Sequence, residues 1–419
     1  MRTWYRNLDY LSIFAYMALV GIGLIAIYST THGPAAEYLL GSVQRNFYRQ
    51  MLWFGISVGA FAVILMMPVR FFQKVAYPLY GLVIALLILI LFVGTEVSGS
   101  RSWLSVGGIN IQGAEVAKIG AILAVAQLLS SRRPGVKSFR YGIGSVVLLT
   151  LPAVLIIMQN EMGVAIIYLM LVPVMLFWSG LPIGTVLLMI SPAVAGYLAI
   201  VYMPGAIVFA VIFTLGMLWH SRERYIGLLA GLFTGLTIGS VSFALTSIFK
   251  PYQVARIMSF TNPEAEEFRS GVGFHLVQSK AAIGSGGLTG KGFMEGTQTQ
   301  GAYIPEQSTD FVFTVIAEEW GFIGAIAILL LFALLIVRLI QLGTYVKHPF
   351  GSMVAAGVAG IFLIHLIINI GMTLGLLPVI GIPLSFVSYG GSALLSNTIL
   401  LAIVVNLHMR RDDFSIYGY

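Results

Sequence analysis

Apolar runs of about 18–22 residues, each enough for a helix to cross roughly 30 Å of hydrocarbon, recur from one end of this 419-residue chain to the other. No other feature constrains the fold as strongly. Inside a bilayer, backbone polar groups find partners only within helices or closed barrels, so runs of this length dictate a bundle of helices. Hydrophobic residues make up 58% of the chain and charged residues 9%, against roughly 25% charge in a soluble domain. With a mean hydropathy of +0.94 there is too little polar surface to cover a water-soluble core. The chain has no cysteine, which excludes disulfides and thiolate metal sites. The first run, Leu11 to Tyr28, is too long for a signal-peptide core and lacks a small-residue cleavage site, so it reads as a span.

The apolar runs and their polar breaks predict twelve spans, near 10–29, 50–67, 72–93, 115–130, 141–158, 162–179, 182–202, 205–219, 225–248, 312–340, 351–373 and 386–408. An even number returns both termini to one side. The segments then expected inside carry Arg2, Arg6, Arg70, Lys74, Arg132, Arg133, Lys137, Arg140, Arg222, Arg224, Arg338, Lys347, Arg410 and Arg411, which is 14 of the 23 basic residues. Acids inside are only Asp9, Glu223, Asp412 and Asp413, so 12 of 16 fall on or near the outer side. Positive charge in short loops is a topology signal and gives no reason to expect nucleic acid.

The expected architecture is an all-α polytopic membrane protein, one integral domain over residues 1–419. On the outer side, residues 249–309 form a stretch of about 60 residues rich in Gly, Ser, Thr and Gln; structureless loops of that length are uncommon and usually functional. A second outer segment, 94–114, carries Arg101 and Trp103. No internal repeat is evident.

A charge near mid-bilayer costs roughly 2.5–3.5 kcal/mol even on lenient scales, so ionisable residues in or beside spans are functional candidates. Glu115 and Lys118 stand at i, i+3 on one helix face, as a structural or a working pair. Glu161 lies in the break Gln159-Asn160-Glu161, and Glu318 and Glu319 enter the tenth span. His365 and Asn369, one turn apart, read first as packing contacts. Asp310 stands where the polar stretch Pro305-Glu306-Gln307-Ser308-Thr309 turns into an apolar helix. A carboxylate there is half-desolvated and more basic, although a plain helix-start acid would look the same.

The glycine-rich run 284–296, with Lys291, superficially resembles a phosphate-binding loop. Gly292 follows Lys291 where a nucleotide loop needs Ser or Thr, so no nucleotide is expected. Exposed amides with Lys291 could cradle a diphosphate; the alternative is a loop that needs tight turns. Ser388-Tyr389-Gly390-Gly391-Ser392, after Pro378 and Pro383, interrupts the start of the last span. Irregular backbone at that depth must be buried or line a cavity.

These residues carry a resemblance. His275 to Gln298, with Gln278-Ser279-Lys280, Gly284-Ser285-Gly286-Gly287-Leu288 and Gly290-Lys291-Gly292, is similar to the outer-loop signature of the SEDS family (shape, elongation, division and sporulation). So is Pro305-Glu306 followed by Thr309-Asp310-Phe311 and Ala317-Glu318-Glu319, and so is Asn369-Ile370-Gly371-Met372 with the stretch from Leu377 to Ser392. Arg101, Trp103, Glu115, Lys118, Gln159 and Gly163 fall at matching places, and the chain looks more like RodA than FtsW. It departs at Gly113-Ala114, where Pro-Ser is usual; at Asn160-Glu161, where Pro-Asp is; and at Ser308 and Ser385, where His and Pro are common. The family usually has ten spans, which makes 203–248 an inserted hairpin.

The resemblance implies a peptidoglycan glycosyltransferase on the outer face of the bacterial cytoplasmic membrane, polymerising lipid II with inversion during cell elongation. It further implies a class B penicillin-binding protein as partner and Asp310 as the catalytic residue. Substrate contacts are expected from Arg101, Trp103, Glu115, Lys118, Gln159, Lys280, Lys291, Glu306 and Ser388, and a divalent cation (Mg or Mn) from Asp310 and Glu115. The alternatives are a lipid II flippase or a non-catalytic scaffold of the synthesis complex.

Overall fold

The computed structural model describes the chain except residues 1–6, 35, 37–40, 98–99, 107–108, 132–138, 221–223, 249–250, 264–272, 305 and 413–419. The topology residues Arg2, Arg6, Arg132, Arg133, Lys137, Arg222, Glu223 and Asp413, and Pro305 of the family block, lie outside the described residues.

In chain order the elements are α1 (Tyr10–His32), α2 (Gly41–Gln44), α3 (Asn46–Met66), α4 (Val69–Val93), β1 (Thr95–Val97), β2 (Ser100–Val106), β3 (Ile109–Gln112), α5 (Gly113–Ser130), α6 (Phe139–Met158) and α7 (Met162–Trp178). There follow α8 (Ile183–Val201), α9 (Met203–His220), α10 (Arg224–Phe243) with a π-helical turn at Ala244–Ile248, α11 (Pro251–Thr261), α12 (Phe274–Ser285), α13 (Val312–Glu319), α14 (Gly321–Tyr345), α15 (Pro349–Thr373) and α16 (Gly391–Met409). The chain divides into two compact units, 1–175 with 278–419, and 176–277.

Among the described residues ten helices are long and apolar enough to cross a membrane, and Met162–Trp178 and Met203–Trp219 are shorter apolar helices. Together they fall on the twelve expected spans. Three expectations need correction. The tenth span is two helices, because the backbone turns at Trp320–Gly321: Gly321 has φ +65°, and Phe322 N and Ile323 N leave the helix to donate to Gly287 O and Leu288 O. The twelfth begins at Gly391 rather than 386, since the Pro- and Gly-bearing residues before it are irregular. The 249–309 stretch is not structureless, since it holds α11 and α12. To this helical architecture the outer segment adds a small antiparallel sheet in the order β1-β2-β3, with Trp103 opposite Thr95 and Gln112.

In the larger unit the centre is α5, α15 and α16, whose central windows are 78%, 72% and 83% buried, whereas α3 is only 17% buried and lies at the periphery. Small side chains in α5 and α15 allow this burial. Without a hydrophobic drive between helices in lipid, close backbone approach supplies the packing. A Cβ on Gly357 of α15 would sit 2.9 Å from Met175 Sδ and 3.3 Å from Ile122 of α5. α3 and α16 run side by side in parallel. At their N-terminal ends Gln50 accepts from Gly390 N (3.1 Å) and donates to Ser388 O (3.2 Å). At their C-terminal ends Asn406 donates to Ile64 O (2.7 Å) and Met67 O (3.0 Å). Arg338 binds Asp9, the N-cap of α1, at 2.7 Å. In the smaller unit, α8, α9 and α10 pack on one another, with Gly231 of α10 against Thr214 of α9.

Candidate active site

The turn 306–311 precedes α13. Glu306 O accepts from the amides of Thr309, Asp310 and Phe311, and Glu306 itself adopts φ +53°. The turn is tied to the irregular segment before α16 by Tyr389 N donating to Ser308 O (2.8 Å), and to α15 by Asn369 Nδ2 donating to Asp310 O (2.9 Å). The Asp310 carboxyl rests against Gly381, where a Cβ would lie 3.2 Å from Oδ2. Burial, with the Glu306 charge nearby, raises Asp310 to about 7, and no hydrogen-bond donor among the described residues offsets the rise. A carboxyl group that titrates near neutrality at a helix entrance is suited to take up and release a proton.

Below it, Glu115 and Lys118 form an ion pair of 2.8 Å, both 1% exposed. His365 Nδ1 faces Pro383 O at 3.0 Å, an oxygen that can only accept, so Nδ1 carries the proton. Nε2 is then the acceptor and Lys118 Nζ the donor, at 3.2 Å. Nζ also donates to Asn397 Oδ1 (3.4 Å), and Asn397 Nδ2 to Ser385 Oγ (3.2 Å). Three acceptors surround the ammonium, which therefore has no free hydrogen for a diphosphate. The Glu115–Lys118 group supports the 381–388 backbone from beneath.

Lys291 is likewise engaged. Its Nζ lies 2.8 Å from Glu318 Oε1 and donates to Thr297 Oγ1 (2.7 Å). Glu318 is fully buried and also accepts from Gln298 N and Thr299 N, both at 2.9 Å. The amides of Lys291 and Gly292 donate to Glu318 O and Glu319 O. The glycine-rich run is thus built around α13, not left open as an anion cradle. A Cβ on Gly290 would lie 2.0 Å from Glu319 O, and Gly290 has φ +81°. Gly290→Ala should therefore lower thermal stability by about 1–3 kcal/mol through forced displacement of the main chain, whereas Gly284→Ala, with nothing within 4 Å, should not. Melting curves of the two purified variants check this.

The sheet is latched to the α6–α7 turn. Arg101 N donates to Gln159 O (3.1 Å), and Glu161 Oε1 accepts from Ser102 Oγ (2.7 Å) and Gln112 Nε2 (2.6 Å). Burial outweighs these two bonds and raises the Glu161 pKa, with Glu115 adding to it. Gln159 is buried and donates to Leu87 O (2.9 Å), and Ser388 Oγ accepts from Leu384 N (2.8 Å), so both hold main chain. Gly163 packs on the Ile380 carbonyl, where a Cβ would be 2.5 Å away. Arg101 is exposed, 3.7 Å from the equally exposed Glu96; Trp103 is half-buried, and Lys280 and Glu306 are exposed. The structure thus brings Asp310, Glu306, Ser388 and Asn369 together, sets Glu115 and Lys118 beneath them, and gives Lys291 to Glu318. Sequence reasoning missed Ser102, Gln112, Asn397 and the role of Asn369. For Asn369 and Asn397 the signal was a polar side chain within an apolar run; Ser102 and Gln112 lie in the outer segment and carried none.

The expected divalent cation does not fit Asp310 and Glu115. Glu115 is committed to Lys118, and no group of three ligating side chains gathers among the described residues.

These features define a polytopic membrane protein with a near-neutral carboxylate at one end of a tightly packed helical unit. The chain belongs to the FtsW/RodA/SpoVE family of cell cycle proteins, whose sequence model matches residues 10–205 and 200–413. It is 32% identical to the peptidoglycan glycosyltransferase RodA of Treponema pallidum (strain Nichols), over 97% of this chain and 98% of that protein. It is 31% identical to the peptidoglycan glycosyltransferase MrdB of Escherichia coli (strain K12), over 98% and 95%. Stage V sporulation protein E of Bacillus subtilis (strain 168) is 33% identical, over 98% and 99%. Among solved structures, the chain resembles RodA of Thermus thermophilus (TM-score 0.62, 25% identity, 98% of each chain). It also resembles a chain from work on structural coordination of polymerization and crosslinking by a peptidoglycan synthase complex (TM-score 0.72, 27% identity, 96% and 98%).

Proposed function

We propose that this protein is a peptidoglycan glycosyltransferase that joins lipid II units into glycan strands during cell elongation, with Asp310 as general base. Relatives named for this activity cover nearly its whole length. The observation that carries the reading is the Asp310 carboxyl, raised to about 7 at the mouth of the bundle. Asp310 takes the proton of the acceptor sugar 4-hydroxyl, and that oxygen attacks the donor anomeric carbon. The bond from that carbon to undecaprenyl diphosphate breaks, and the configuration inverts. Negative charge builds on the leaving diphosphate and calls for a cation. With Lys118 and Lys291 engaged, the exposed Lys280 and Arg101 are assigned that contact.

The Asp310 end faces the periplasm or cell exterior in this reading. Support comes from charge: Arg338, Lys347, Arg410 and Arg411 lie toward the opposite end, with the Asp9 and Asn406 ties. The partner is a class B penicillin-binding protein that crosslinks the strands, a role that fits a relative's place in a complex coordinating polymerization with crosslinking. The test is incubation of the purified protein with lipid II, alone and with that partner. Glycan strands should form, and their absence from an intact, folded complex would overturn the reading.

A further inference from the structure

Asn369 is fully buried within the apolar length of α15. Its amide nitrogen has two hydrogens, and both go to main-chain carbonyls on different segments: Asp310 O at 2.9 Å and Ile382 O at 2.8 Å. The reversed amide would set Oδ1 against two acceptors, so chemistry fixes which atom is nitrogen. One carbonyl belongs to the residue that carries the base. The other adjoins Gly381, which has φ +69° and borders the Asp310 carboxylate. The two segments that shape the carboxylate's surroundings thus meet on a single side chain. Oδ1 is buried with no partner among the described residues.

We propose that Asn369 is the positioning residue for Asp310: by clamping the 306–311 turn to the 381–383 backbone it aims the carboxylate at the acceptor hydroxyl. The proposal rests on the assignment of Asp310 as base. The ionisable neighbours are Glu306 in the same turn and, one turn away on α15, His365, which is held by Pro383 O and Lys118.

The structure supplies its own control. Asn406 is also fully buried, and its Nδ2 reaches carbonyls of Ile64, Leu65 and Met67. It stands about 22 Å along α16 from Gly391, at 1.5 Å per residue, and so far from Asp310. Asn369→Ala and Asn406→Ala in the purified full-length protein with its partner should both lower the melting temperature. Only Asn369→Ala should reduce kcat, by about 10²-fold, the usual consequence of moving a reacting group by about an ångström. Its KM should stay within about twofold, since no substrate contact is lost. The acid limb of its pH profile should move down, because a released carboxylate reaches water. If Asn369→Ala loses stability alone, as Asn406→Ala does, or changes KM alone, the clamp is wrong. Should the alanine variant not accumulate, Asn369→Ser keeps one donor and is read by the same criteria, with a smaller loss of kcat. Asp310→Asn, measured in parallel, separates the two ideas. If it is dead while Asn369→Ala behaves as wild type, the base stands and the clamp falls; if it is active, both fall.

Discussion

Asp310→Asn should cut the rate of glycan-strand formation by about 10²–10⁴-fold, the range for losing a positioned general base, while leaving the protein folded. The amide is isosteric, and the carboxylate it replaces receives no hydrogen bond from the described residues, so few native contacts are lost. The backbone ties of the turn, Asn369 to Asp310 O and Tyr389 N to Ser308 O, do not involve the side chain and persist. What goes is the ability to take a proton. Initial rates with lipid II, beside a melting curve for each protein, check both halves. A variant that keeps the wild-type rate contradicts the assignment, and one that unfolds contradicts the account of the turn.

The largest effect on stability is expected from Lys118→Ala. Removing one partner of a buried ion pair leaves the other charge unpaired in the interior, at a cost of about 3–5 kcal/mol. Here Glu115 is 1% exposed, and its Oε2 has no hydrogen bond besides the 2.8 Å ion pair. His365 Nε2 and Asn397 Oδ1 would lose their donor as well. Replacing both partners, Glu115→Gln with Lys118→Met, removes the stranded charge and should recover most of the melting temperature lost by the single change. A single Lys118→Ala that melts like wild type would show that the pair is not closed off. Because the network supports the 381–388 backbone, the double variant should still turn over more slowly than wild type.

Span length is a one-dimensional property, so the helices were readable from the sequence: a run such as Leu11 to Tyr28 carries its own evidence. The break at Trp320–Gly321 was hidden because Glu318 and Glu319 beside it read as acids entering one continuous span. It arises from carbonyls of Gly287 and Leu288, more than 30 residues away. The sheet had a signal in the alternation of Ile109 and Ile111 with Asn110 and Gln112, but a short strand pattern is weak beside spans on either side. The Glu115–Lys118 pair was visible because three residues on a helix are neighbours. His365 and Asn397 join it from 247 and 279 positions away, which no local pattern encodes. Lys291 misled for the opposite reason. Its glycine-rich setting looks open in sequence, and the buried Glu318 that claims it lies 27 residues further on. Asn369 read as packing since both of its acceptors are main-chain atoms, invisible to side-chain chemistry.

The most direct test of the account is the pH dependence of single-turnover glycan extension by the wild-type protein. A general base works only when deprotonated, and burial places that step for Asp310 at about 7. The rate should therefore fall about tenfold for each unit below that value and level off above it, and the Asp310→Asn residual rate should be flat across the same range. A wild-type rate that stays level from about pH 5 to 8 would contradict proton abstraction by a carboxyl group of raised pKa.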